Sequence, residues 1–160
     1  MFNIKNYFIN YILVSILILS GAYFIEYGLG QKPCILCLYQ RIPYYIIILI
    51  SFLGIKFKNH KNFFHLFISL IFFTSFILAS YHSGVEQGIF SGLKGCQSNL
   101  SKVAYDITEL KEAIFANNQP TCTHADFKIL SISLAGWNAI ISIIFAYYSF
   151  KNFKGNKYEK

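Results

Sequence analysis

The sequence predicts an all-α membrane protein: a four-transmembrane-helix bundle with a long extracytoplasmic loop between helices 3 and 4, one membrane domain over residues 1–160. Three observations predict it. The chain is 55% hydrophobic and only 13% charged, where a soluble domain carries about 25% charged residues. Its apolar residues are gathered into four runs free of Asp, Glu, Lys and Arg, at 6–25, 42–55, 62–85 and 129–150. The lysines then cluster at the ends of those runs rather than over a surface.

Each element follows from the length of its run, since roughly 20 apolar residues cross a hydrocarbon core about 30 Å thick. Helix 1 is expected at about 6–26, with Glu26 at its end as an interface residue. A cleaved signal peptide is the alternative, with Lys5 as its charged start, but no A-x-A-like site follows and the apolar stretch continues to Glu26. Helix 2, at 35–55, has an uncharged run of only 14 residues between Arg41 and Lys56. It reaches full length if it starts near Cys34 and Arg41 turns its guanidinium back toward the interface. Helix 3 is expected at 62–84. An extracytoplasmic loop covers 85–128, and within it Leu100, Val103, Ile107, Leu110 and Ile114 recur at helical spacing. That predicts a short amphipathic helix, lying on the membrane or on the bundle ends and stopped at Asn117-Asn118-Gln119-Pro120. Helix 4 is expected at 129–150.

Orientation follows from cation density. Lys56, Lys58 and Lys61 sit in one short loop, and Lys151, Lys154, Lys157 and Lys160 crowd the C-terminus. The positive-inside rule reads such short loops and ends as cytoplasmic. The long loop adds Glu86, Asp106, Glu109, Glu112 and Asp126 to its lysines and belongs on the other side. The net charge of +7 is thereby a topology signal, and no nucleic-acid partner is implied.

This topology places all four cysteines outside the cytoplasm, where disulfides persist. Cys34 and Cys37 form a Cys-X-X-Cys pair at the mouth of helix 2, while Cys96 and Cys122 lie in the long loop. Pairing Cys34 with Cys37 and Cys96 with Cys122 is the favoured resting set, because short loops close cheaply. A staple so short removes little unfolded-chain entropy, and a four-cysteine zinc site would space its second pair closely too. Redox exchange is the reading that remains, since it needs a readily ionised sulfur. Pro33 can end the preceding loop and set Cys34 and Cys37 in the first turn of a helix, whose free amides favour a thiolate. Arg41 lies at i+4 from Cys37, on the same face. As a permanent cation it suits a thiolate or the anionic oxygen of a reduced carrier; the plainer role is an interfacial anchor.

Four stretches resemble the disulfide bond formation protein B (DsbB) family of quinone-linked membrane thiol oxidoreductases. They are Pro33-Cys34-Ile35-Leu36-Cys37 with Tyr39-Gln40-Arg41; Tyr81-His82-Ser83-Gly84-Val85-Glu86; the pair Cys96 and Cys122; and Leu134-Ala135-Gly136-Trp137-Asn138. Departures are Thr123 after Cys122, where an acidic residue is common in the family, and Phe127 in place of a frequent tryptophan. The resemblance implies a multi-pass protein of the bacterial inner membrane with periplasmic cysteines. It implies a DsbA-like periplasmic thioredoxin-fold oxidase as the partner, which attacks Cys96 of a Cys96–Cys122 disulfide. Electrons then pass to Cys34 and Cys37, and from Cys37 to ubiquinone or menaquinone beside Arg41. His82 and Glu86, at the outer end of helix 3, border the same pocket or supply protons. A vitamin K epoxide reductase-like protein is the nearest alternative, but it places its Cys-X-X-Cys after the loop pair, the reverse of the order seen here. A non-enzymatic scaffold with two stabilising disulfides is the alternative from another class.

Overall fold

The computed structural model describes residues 4–92, 122 and 128–158. Helix α1, Ile4–Tyr23, runs on through a wider π-helical turn, Phe24–Gly28, in which Leu29 N–H reaches back five residues to the Phe24 carbonyl. Gly30, at φ +67°, then turns the chain toward α2, Ile35–Lys56. Left-handed backbone of this kind costs little only for glycine. Helix α3, Lys61–Glu86, follows a single 3-10 turn at Lys58–His60. A two-residue hairpin, β1 Lys128–Ile129 with β2 Ile132–Ser133, leads into α4, Leu134–Tyr158.

Among the described residues, three helices are long and apolar enough to cross a membrane: Tyr7–Gly28, Ile35–Lys56 and Lys61–Glu86. Their outward faces carry Leu13, Leu17, Leu49, Phe52, Leu70, Phe73 and Ile77, all exposed. A soluble domain does not spread so much apolar surface over every helix, whereas a bilayer requires it. The protein is an all-α, multi-pass membrane protein. Helix α4 has the length of a span, at 25 residues, but interrupts its apolar face with Asn138, Ser142 and Ser149. Helix 4 was expected to begin at residue 129. It begins at Leu134 instead, because Leu130 and Ser131 adopt positive φ to close the hairpin, and the Ser133 hydroxyl accepts the Gly136 amide as a cap. The expected amphipathic helix and Cys96 lie outside the described residues.

The helices pack around two buried clusters. One, at the level of the α2–α3 turn and above it, joins Phe8, Tyr11, Tyr44, Ile47, Ile68 and Phe72. There α1 and α2 approach so closely that a Cβ on Gly54 would lie 2.5 Å from the Phe8 ring. The second, at the opposite end, gathers Cys34, Leu36, Val85 and Cys122, with Cys37 and Tyr81 against it. Helices α3 and α4 are joined by small polar side chains. Ser69 donates to the Ala146 carbonyl at 2.9 Å, Ser149 to the His65 carbonyl at 2.8 Å, and Ser142 to Ser75 at 3.1 Å. Lipid gives helices no hydrophobic reason to associate, so close packing and such bonds do that work.

Candidate redox site

The site is built at the N-terminus of α2. Cys34 is the N-cap, with extended backbone (φ −72°, ψ 167°), so its side chain faces the open amides of the first turn. Its sulfur accepts the Cys37 amide at 3.4 Å and lies 3.2 Å from the Cys37 sulfur. A third group, His82 Nε2 of α3, stands 3.5 Å away. The Cys37 thiol foremost, then His82 and the Cys37 amide, hold the Cys34 thiol well below the ordinary thiol range, although burial opposes them. Both cysteines are free thiols, so the resting Cys34–Cys37 disulfide expected from the sequence is open here. Cys122 is disulfide-bonded, almost fully buried, and stands beside them. The Cys34 sulfur, the Cys122 sulfur and a His82 ring nitrogen all lie within 4.8 Å of one another. A half-cystine offers a metal no thiolate, so with Cys122 bonded this trio is not a ligand set.

The remaining site residues fall around the same point. Glu86, one turn beyond His82, places Oε1 3.7 Å from Nε2, while its Oε2 is buried without a hydrogen-bond partner among the described residues. Arg41 does not turn to solvent. Its Nη1 donates to Glu26 Oε2 at 2.6 Å, and its guanidinium lies 4.8 Å from the Tyr23 ring centre. The π-helical turn at the end of α1 carries Glu26, so the sequence reading of Glu26 as a plain interface residue gives way to a partly buried ion pair. Such turns are frequent at functional sites.

A cavity of about 370 Å³ opens between α1, α2 and α4, within the size range of ligand pockets. Leu17, Ile18, Ala22, Ile25 and Ile141 make its walls apolar, while Cys34, Cys37, Arg41, His82 and Glu86 stand together along it. A flat apolar ring with polar oxygens, which is what a quinone offers, fits this distribution, with the Arg41 guanidinium as the donor on the cavity wall.

Sequence reasoning missed a chain of polar side chains that leaves His82 for the middle of the bundle. The Gln40 amide donates to His82 Nδ1 at 2.8 Å, and the Asn138 amide donates to Gln40 Oε1 at 2.7 Å. Tyr44 donates to Asn138 Oδ1, and its hydroxyl also contacts Ser142 at 3.2 Å. A signal was present: Asn138, Ser142 and Ser149 recur at helical spacing within an otherwise apolar run.

The family model described as disulfide bond formation protein DsbB matches residues 5–151. The chain is 33% identical over 133 residues to "Uncharacterized protein RP370" of Rickettsia prowazekii (strain Madrid E), covering 82% of this chain and 77% of that protein. No solved structure matches.

Proposed function

The chain belongs to the DsbB family of disulfide-forming membrane oxidoreductases, and on that premise we propose that it is a thiol:quinone oxidoreductase that reoxidises a DsbA-like periplasmic dithiol oxidase. The observation that carries the reading is the convergence of the Cys34 sulfur, His82 and the disulfide-bonded Cys122 within 4.8 Å, at the wall of an apolar cavity that also holds Cys37 and Arg41. In this reading α4 is the fourth crossing, both termini are cytoplasmic, and the cysteines face the periplasm of an inner-membrane protein.

The reaction balances through this chain's own sulfurs. A reduced thioredoxin-fold donor attacks Cys96 of a Cys96–Cys122 disulfide, leaves as its own disulfide, and the loop pair is left as two thiols. Cys122 then attacks Cys34 of an oxidised Cys34–Cys37 pair; the loop disulfide re-forms and two thiols remain at the helix mouth. Free Cys34 and Cys37 thiols beside a bonded Cys122 are the arrangement that this scheme would leave after that exchange. Cys34 is the exchange partner because its sulfur faces Cys122, and Cys37 is left to face the acceptor. A bound ubiquinone or menaquinone supplies the sink for the two electrons and two protons released when Cys34 and Cys37 close their disulfide. Cys37, Arg41, His82 and Glu86 would hold it, with Arg41 oriented by Glu26 and the apolar wall excluding water. His82 and Glu86, i and i+4 on one face, can hold or pass the thiol protons.

The test is quinone reduction, followed by absorbance, by purified protein in lipid nanodiscs given a reduced thioredoxin-fold donor. Cys37→Ser and Cys96→Ser should each abolish it. Full turnover by both variants would refute the mechanism.

A further inference from the structure

The amide chain that ends on His82 runs in one direction. Tyr44 donates to Asn138 Oδ1, Asn138 Nδ2 donates to Gln40 Oε1, and Gln40 Nε2 donates to His82 Nδ1. Every link has its donor on the side away from the sulfurs. A neutral imidazole has one N–H and one lone pair, so a ring whose Nδ1 accepts from Gln40 carries its hydrogen on Nε2. That nitrogen is the one 3.5 Å from the Cys34 sulfur and 3.7 Å from Glu86 Oε1. Gln40 is buried at 8% exposure and His82 at 2%, so water does not offer Nδ1 a competing partner.

Two uses of such a chain are chemically distinct. A proton wire needs groups that accept a proton on one atom while releasing one from another, as hydroxyls, water and imidazole do. Carboxamides do this poorly, and two stand in series here. What an amide transmits well is orientation: fixing which end donates at Asn138 fixes it at Gln40, and hence at the ring. Aligned bonds in a low-dielectric interior also polarise one another in the same sense.

From this we infer that Gln40 and Asn138 are positioning residues that lock the tautomer of His82, so that its Nε2–H is presented to the Cys34 sulfur during exchange with Cys122. Neither touches a sulfur; they act through the histidine. The inference rests on the proposed exchange between Cys34 and Cys122 for its purpose, but not for its test. The groups facing His82 are Cys34 and Gln40 from α2, Glu86 from its own helix and Cys122 from the loop, with the Arg41–Glu26 pair further along the cavity wall.

The experiment uses reduced, quinone-free full-length protein in nanodiscs with 15N-labelled histidine, the His82 signals being assigned by difference with His82→Gln. The two ring nitrogens differ in shift according to which bears hydrogen. Wild type should show hydrogen on Nε2 and a lone pair on Nδ1. Gln40→Glu presents only acceptor oxygens when ionised, so it should put hydrogen on Nδ1. Gln40→Met should give a mixture of both tautomers. Asn138→Leu, two links from the sulfur, should loosen the preference in the same direction as Gln40→Met. It should also move the pH midpoint of Cys34 alkylation up by about one unit, the scale of one charge-assisted hydrogen bond. A purely structural role for Asn138 would lower stability without moving either readout. Hydrogen on Nδ1 in wild type, or wild-type nitrogen shifts in both Gln40 variants, would overturn the inference. Loss of quinone reduction with the tautomer pattern intact would count against the proposed function instead.

Discussion

The strongest consequence of the sulfur geometry concerns the variant Cys37→Ser/Cys96→Ser, which retains only Cys34 and Cys122. Their sulfurs lie within 4.8 Å of each other, and a sulfur confined to a sphere of that radius is at a local concentration of about 4 M. Against glutathione at roughly 1 mM, that is a preference of more than three orders of magnitude, or about 5 kcal/mol. A disulfide needs the sulfurs to close to about 2.05 Å, and Cys34, as an N-cap with no helical constraint on its backbone, can turn toward its partner by side-chain rotation. Mild oxidation with a glutathione redox buffer should therefore yield an internal Cys34–Cys122 bond, identified by peptide mapping after alkylation, with neither sulfur capped. The control Cys34→Ser/Cys96→Ser leaves Cys37 and Cys122 and should cap with glutathione, because Cys37 is not among the groups that converge within 4.8 Å. If glutathione caps Cys34 or Cys122 in more than about one tenth of the double-variant molecules, the proximity argument is refuted.

Three further outcomes follow from other parts of the molecule. The depressed Cys34 thiol is thiolate above its lowered pKa and loses that form only as pH falls through it. Its iodoacetamide rate should drop less than about threefold from pH 8.5 to 6.5, where an ordinary thiol drops on the order of fiftyfold. Removing one member of the Arg41–Glu26 pair strands a partly buried charge. Glu26→Gln and Arg41→Met should each lower the unfolding free energy in mixed micelles by about 2 kcal/mol, and Glu26→Gln/Arg41→Met by less than their sum. Gly54→Ala would set a methyl 2.5 Å from the Phe8 ring and should cost about 1–3 kcal/mol by the same measurement, with Phe8→Leu relieving part of the loss.

Most of the helical framework was legible because a membrane helix announces itself by length and uniform apolarity. The place of Cys34 and Cys37 at the opening of α2 was legible from Pro33 and the apolar run behind it, though Cys34 is the N-cap rather than part of the first turn. Three things were not. The start of α4 shifted because Leu130 and Ser131 take positive φ, which non-glycine residues rarely do and sequence rarely signals. Glu26 reads as an interface residue in sequence, since nothing in an isolated helix end shows that a π-helical turn carries it to Arg41. That Cys34 and Cys37 stand as free thiols beside a bonded Cys122 is a choice between pairings that spacing alone does not make.

The polar chain poses the harder problem, because it runs against the rule that made the fold legible. Gln40, His82, Asn138, Tyr44, Ser142 and Ser75 are gathered among helices whose association needs only small residues and close packing, as the Ser69 and Ser149 contacts to backbone carbonyls already provide. Each buried amide or hydroxyl is costly in an apolar interior unless paired, and a satisfied network is at best about as stable as the apolar core it replaces. Stability therefore does not account for two carboxamides in series between α2 and α4. What distinguishes this network from the backbone-directed serines is its terminus. It begins at hydroxyls deep in the bundle and ends on the one ring that faces both Cys34 and Glu86. A network that only joined helices could have ended on any carbonyl, as those serines do. Ending on a tautomer-bearing ring 3.5 Å from the Cys34 sulfur is what the inferred positioning role requires.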